Sequence, residues 1–272
     1  MIGFDVMAAS QDYSEARKYS PLNPLWVCAW GVHLYTAMGL VLAGTIAWLL
    51  VSERPERFEL AFVLMLLATV IDATDGFLAR GFRVKQVLPG FDGRRLDDIT
   101  DFLNYVFLPL FLIYQARLLP AGQEAWLLLP LVAAAYGFCQ VSAKTDDGFF
   151  LGFPSYWNLI AFYLYALEPP HWLTLGAVVV FSLLTFVPMR YLYPSQPGRL
   201  NKLSAALGAV WGALLMLILW GARQEPLDGE RSQRLISFSL FYPLYYLLAS
   251  WLVSARYWIV ARRRAHEAKQ EV

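Results

Sequence analysis

Long apolar runs separated by short charged clusters set the pattern of this chain. The first runs from about Trp26 to Val51 and stops at the cluster Ser52-Glu-Arg-Pro-Glu-Arg57. Others follow at about Phe58–Leu78, Leu96–Leu118, Glu124–Ala143, Tyr156–Leu167, Trp172–Met189, Leu203–Ala222 and Leu235–Val260. Several approach the ~20 residues that carry an α-helix across the hydrocarbon core of a bilayer. The pattern predicts an all-α, polytopic membrane bundle of about eight transmembrane helices, the fifth of them short. Pro109, Pro130, Pro188 and Pro243 fall inside or near the ends of these runs and predict kinks. Ahead of the first run, residues 12–24 carry Tyr13, Arg17, Lys18, Tyr19, Pro21 and Pro24. They read either as a short interfacial helix or as a solvated tail. The domain division expected is an N-terminal interfacial segment over 1–25, a transmembrane domain over 26–260 and a basic tail over 261–272.

Composition agrees with a membrane assignment. Apolar residues make up 58% of the 272 and charged residues 16%, whereas soluble domains run nearer ~45–50% apolar. No stretch leaves room for a sizeable soluble domain. Met1 to Asn23 mixes acidic and basic residues and does not read as a cleavable signal. The net charge of +1 provides no basic field for nucleic acid. Cys28 and Cys139 imply neither a disulfide framework nor a zinc site. With eight spans and both termini in the cytoplasm, fifteen Lys and Arg face inward, among them Arg80, Arg83, Lys85, Arg94, Arg95 and Arg262–Arg264. Six face outward: Arg54, Arg57, Arg117, Arg223, Arg231 and Arg234. That bias satisfies the positive-inside rule.

The candidate chemistry is acidic and concentrated. Asp72 and Asp75 stand three apart at the end of the second run, and Asp97 and Asp101 four apart at the start of the third. On helices each spacing puts both carboxylates on one face. Four carboxylates at the mouth of a bundle repel one another and are costly to desolvate, so a cation is expected among them. Hard oxygen donors suit Mg²⁺ or Mn²⁺, and two such ions suit phosphoryl transfer. Gly76 and Ala79 leave space beside the helix for something flat, such as a nucleotide base. Arg80 and the basic loop offer phosphate contacts. A lone intramembrane Asp paired with Arg, or small residues serving helix packing, is the plainer account of each feature taken singly. Asp98 lies about 100° off the Asp97 face and is left out of the metal set. His33 and His171 lack ligand partners at suitable spacing and read as packing residues.

The pattern Asp72-x2-Asp75-Gly76-x2-Ala79-Arg80…Gly93-x3-Asp97-x3-Asp101 resembles the signature of the CDP-alcohol phosphotransferases. Twelve residues separate Arg80 from Gly93, more than in most of that family. The longer gap, Gly148-Phe-Phe-Leu-Gly-Phe-Pro-Ser-Tyr-Trp-Asn158 and Arg190-Tyr-Leu-Tyr-Pro-Ser195 resemble a bacterial branch whose acceptor alcohol is choline. The resemblance implies CDP-diacylglycerol plus choline giving phosphatidylcholine plus CMP, in a bacterial inner membrane, by a homodimer whose site faces the cytoplasm. It also implies two Mn²⁺ or Mg²⁺ ions on Asp72, Asp75, Asp97 and Asp101, with Asp101 doubling as general base. Asp72, Gly76, Ala79, Arg80, Gly93, Lys144 and Arg190 are the expected CDP-diacylglycerol contacts. Choline's quaternary ammonium calls for aromatic faces, and Tyr105, Tyr156 and Trp157 are the candidates, with Tyr136, Tyr191 and Tyr193 as further options. Two rivals remain open here: a related transferase with an anionic acceptor such as serine, and a cation transporter using intramembrane aspartates.

Overall fold

The first long helix, α1 (Pro24–Val51), starts where the sequence supplies both a cap and a stiff first residue. The Asn23 side chain accepts the Leu25 N–H at 2.9 Å, and Pro24 occupies the first turn, where its missing N–H costs nothing. The structure is a computed structural model that describes residues 23–143, 145, 148–193, 198–222 and 226–270, giving only the backbone of residues 261 and 264–270. The expected interfacial helix over 12–24 lies almost wholly outside the described residues, as do Lys144 and Ser195.

The described chain is mostly helical and divides into two compact units between Asn104 and Tyr105. In the first unit α1 packs along α2 (Arg57–Gly81), then against a single turn α3 (Val84–Val87) and α4 (Gly93–Asp101). Val84, Val87 and Leu88 are buried against Ala29 and Val32 of α1, with Leu78, Ala79 and Phe82 packed around them. The twelve residues between Arg80 and Gly93 are therefore not a plain basic loop. They hold an amphipathic turn that tucks its valines inward and leaves Arg83 and Lys85 exposed.

A π-helical stretch, Phe102–Phe107, follows α4 and ends at α5 (Leu108–Gln115), with Pro109 in the first turn of α5. Pro109 has no N–H for the ordinary i→i−4 bond and its ring crowds the carbonyl four residues back, so the helix widens just before it. In the second unit a 3₁₀ turn (Glu124–Leu127) leads into α6 (Leu128–Cys139), and α7 (Trp157–Leu167), α8 (His171–Leu184), α9 (Arg199–Gly221), α10 (Glu230–Ser239) and α11 (Phe241–Gln270) follow. Among the described residues, four helical segments are long and apolar enough to cross a membrane: Pro24–Val51, Arg57–Gly81, Arg199–Gly221 and Glu230–Val260. That makes the chain a multi-pass membrane protein. Three further apolar helices, Glu124–Cys139, Trp157–Leu167 and His171–Leu184, are shorter.

The apolar pattern did not predict strands, yet two short ones form in the second unit. Strand β1 (Phe149–Leu151) pairs antiparallel with β2 (Arg190–Leu192), Phe150 opposite Tyr191. A strand buried in an apolar bundle must satisfy its outer amides. Ser254 on α11 accepts the Arg190 N–H at 2.7 Å and donates back to the Arg190 carbonyl at 3.0 Å. One turn earlier Ser250 accepts the Leu192 N–H at 3.1 Å, and the Tyr246 hydroxyl donates to the Leu192 carbonyl at 2.9 Å. Ser250 and Ser254 are fully buried, so either change to Ala strands a backbone donor. Each of Ser250→Ala and Ser254→Ala is expected to destabilise the protein by about 1–3 kcal/mol, read as a fall in melting temperature in detergent; an unchanged melting temperature would refute this role.

Candidate metal and active site

The acid site is built in the first unit from the end of α2 and all of α4. Arg57 starts α2 next to Pro55, and the helix runs long enough to put Asp72, Asp75, Gly76, Ala79 and Arg80 on its last three turns. Helix α4 begins at Gly93 because the Asp92 side chain caps it, accepting the Arg95 N–H at 3.2 Å while pairing with the Arg95 guanidinium at 3.1 Å. Asp97 and Asp101 then follow one turn apart.

One carboxylate oxygen from each of Asp72, Asp97 and Asp101 lies within 4.8 Å of the others, and all three residues are half-buried. Three hard oxygen donors converging from two helices fit a divalent cation such as Mg²⁺ or Mn²⁺. Asp98 lies outside this trio. Asp75 is also outside this trio. It is only 7% exposed, and its Oδ2 accepts the Thr36 hydroxyl of α1 at 2.7 Å. The i,i+3 spacing puts it on the Asp72 face of α2, and its carboxylate also bonds α1 through Thr36.

Helix α1 holds both acid-bearing helices through residues three apart. His33, 6% exposed, packs against Gly93, where an added Cβ would meet the ring Cε1 at 2.6 Å. The His33 ring also contacts the rings of Phe91 and Trp30, with centroids 4.4 and 5.8 Å away. Thr36 reaches Asp75. Gly39 takes Thr100, since a Cβ there would come within 2.3 Å of Thr100 Cγ2, and the Gly39 carbonyl accepts Asn104 Nδ2 at 3.1 Å. A second bond joins α1 to α2, between the Tyr35 hydroxyl and Thr74 Oγ1 at 2.8 Å. None of these α1 residues stood out in the sequence beyond the packing role assigned to His33, which the structure agrees with. A His, a Thr and a Gly spaced three apart in an otherwise apolar run were the available signal.

The remaining expected residues fall as follows. The Arg80 side chain folds back over Gly76, its Nη1 3.4 Å from where a Cβ would stand. Ala79 packs against the buried valines of α3. In the second unit, Tyr105 sits half-buried in the π-helical stretch, Tyr156 is half-buried at the start of α7, and Trp157 is fully buried. Phe153, Tyr191 and Tyr246 form an aromatic cluster with Tyr156 around them. Burial pushes the Tyr191 phenol up from its ordinary range. The Arg190 guanidinium lies over the Tyr257 ring at 3.6 Å and the Phe149 ring at 5.8 Å, so part of its role is cation–π packing. His171 Nδ1 lies 2.9 Å from the Leu118 carbonyl, which fixes a helix end rather than a metal.

Residues 33–260 match the CDP-alcohol phosphatidyltransferase family, and the chain belongs to it. It is a phosphatidyltransferase of phospholipid biosynthesis, from a family that depends on a divalent metal, and it carries an aspartate cluster suited to one. Among its relatives is the phosphatidylcholine synthase of Pseudomonas aeruginosa, 40% identical over 67% of this chain and 76% of that one. The phosphatidylcholine synthases of Mesorhizobium japonicum (35% identical, 70% of each chain) and Brucella melitensis (33%, 73% of this chain and 71% of that one) are similar to it as well.

The His33–Gly93 contact makes a specific prediction. Gly93→Ala is expected to overpack by about 1–3 kcal/mol and to lower both melting temperature and turnover. His33→Ala in the same chain should recover much of each, because it vacates the space the new methyl needs. No recovery in the double variant would mean that Gly93 is required for something other than fit against His33.

Proposed function

We infer that this chain transfers the phosphatidyl group of CDP-diacylglycerol to the hydroxyl of choline, releasing CMP, and so makes phosphatidylcholine. The supporting observation is the convergence of Asp72, Asp97 and Asp101 within 4.8 Å. It occurs in a chain that shares 33–40% identity with phosphatidylcholine synthases over two thirds or more of its length.

Asp72, Asp75, Asp97 and Asp101 would hold the metal, proposed as two Mn²⁺ or Mg²⁺ ions. When bound, such ions neutralise charge on the phosphoryl oxygens and on the departing CMP. The chain's own residues supply the rest. Choline's hydroxyl is a poor nucleophile at neutral pH, and the Asp101 carboxylate takes its proton as the oxygen attacks the phosphatidyl phosphorus. A new P–O bond forms to choline as the P–O bond to CMP breaks, and CMP leaves with the electron pair. Gly76, Ala79 and Gly93 are the proposed nucleotide contacts, and Arg80, Lys144 and Arg190 would meet its phosphates and those of the lipid. Tyr105, Tyr156 and Trp157 are the proposed aromatic partners of the quaternary ammonium.

The finer architecture belongs to the same reading. Eight spans carry both termini to the cytoplasm of a bacterial inner membrane, where the acid site opens toward soluble choline. The catalytic domain covers 26–260, between an interfacial segment and a basic tail, and the working unit is a homodimer.

Purified protein given CDP-diacylglycerol and Mn²⁺ is expected to release CMP with choline but not with serine, inositol or ethanolamine. EDTA should abolish release and Mn²⁺ or Mg²⁺ restore it. Release driven by serine rather than choline would overturn the acceptor, and release that survives EDTA would overturn the metal. Asp101→Asn keeps the bulk but removes the base. Its turnover should fall by about 10²–10⁴-fold, and near wild-type turnover would refute the assignment.

A further inference from the structure

The acid of the signature that stands apart from the carboxylate trio is held by another helix. Asp75 and Thr36 are both at least nine-tenths buried, and the Thr36 hydroxyl donates to Asp75 Oδ2 at 2.7 Å. A threonine in a helix ordinarily returns its hydroxyl to the carbonyl four residues back. Here that carbonyl, Val32, lies 3.4 Å away, so the single hydroxyl proton goes to the carboxylate. By contrast, Thr45 on the same helix bonds its own helix in the usual way, to Val41 O at 2.8 Å.

A buried carboxylate is costly unless hydrogen-bonded, and a carboxylate that ligates metal performs best when a neighbour fixes its orientation. We propose that Thr36 is a positioning residue for the acid site: its hydroxyl fixes the Asp75 carboxylate, so that Asp75 meets a divalent cation as a preformed ligand. The threonine bonds Asp75 Oδ2 and the Gly76 N–H also donates to the carboxylate, which keeps further lone pairs for a metal. The arrangement divides the labour among the four acids. Asp72, Asp97 and Asp101 are brought together by α2 and α4, both packed on α1. Asp75 is set from α1, and His33 and Gly39, on the same face of α1, fix where α4 lies against it. This inference rests on the metal-dependent reading above.

The test is direct Mn²⁺ binding by the full-length protein in detergent, without substrate, with free Mn²⁺ followed by electron paramagnetic resonance. Thr36→Val keeps the shape and removes the hydroxyl; it should weaken Mn²⁺ binding by about 10–100-fold. Thr36→Ser, which restores the donor, should bind near the wild-type value, and Thr45→Val should leave binding unchanged. The rise in melting temperature on adding Mn²⁺ should shrink in Thr36→Val and persist in Thr36→Ser. If Thr36→Val cannot be purified folded, Thr36→Ala is measured in its place with the same expectation. Wild-type binding by the valine or alanine variant, or a serine variant as weak as they are, would overturn the inference and leave the metal reading intact. A wild-type chain that binds no Mn²⁺ would overturn the metal reading, and this inference with it.

Discussion

Like charges brought together from two helices are the constraint around which the first unit is arranged. Carboxylate oxygens within 4.8 Å of one another repel by at least roughly 1 kcal/mol per pair in water-like surroundings and about 3 kcal/mol at an effective dielectric of 20. Neither α2 nor α4 could hold that geometry alone. Each supplies part of the trio at helical spacing, and the two must be clamped at a fixed separation. Electrostatics opposes the approach, so packing has to enforce it until a cation reverses the sign.

The clamp is α1, and its working face is narrow. His33, Thr36 and Gly39 are spaced three apart, and each faces a residue of the acid-bearing segments: Gly93, Asp75 and Thr100 respectively. Two of these contacts depend on a glycine, because only a missing Cβ lets the helices come so close. The third is a hydrogen bond. Below this face, the valines of α3 fill the angle between α1 and α2. The longer gap in the signature is thus occupied by a structural wedge. Lengthening a loop adds little closure entropy, and here the added residues bury apolar surface in return.

The sequence announced the chemistry of the site more clearly than its geometry. Spacings of three and four placed Asp72, Asp97 and Asp101 on usable faces, and the structure brings these three together. The same arithmetic paired Asp75 with Asp72 and could not see that Thr36 draws Asp75 toward a third helix. That information lies in a contact 39 residues distant. The apolar runs located α1, α2, α9 and the Glu230–Val260 segment to within a few residues. They could not foresee β1 and β2, because short aromatic-rich segments such as Phe149-Phe-Leu and Arg190-Tyr-Leu carry no period long enough to declare a strand. Pro109 gave warning of an irregular helix, and the π-helical stretch before it is the form that irregularity takes.

The two-stranded sheet has one more implication. Its far edges are already spoken for: Ser250, Ser254 and Tyr246 occupy the outer groups of β2. On the other side the Thr145 hydroxyl accepts the Phe149 N–H at 3.0 Å, and the Leu151 N–H reaches the Ala143 carbonyl at 2.9 Å. A ribbon sealed along both margins cannot template a third strand. Cross-chain β-augmentation is closed at this location.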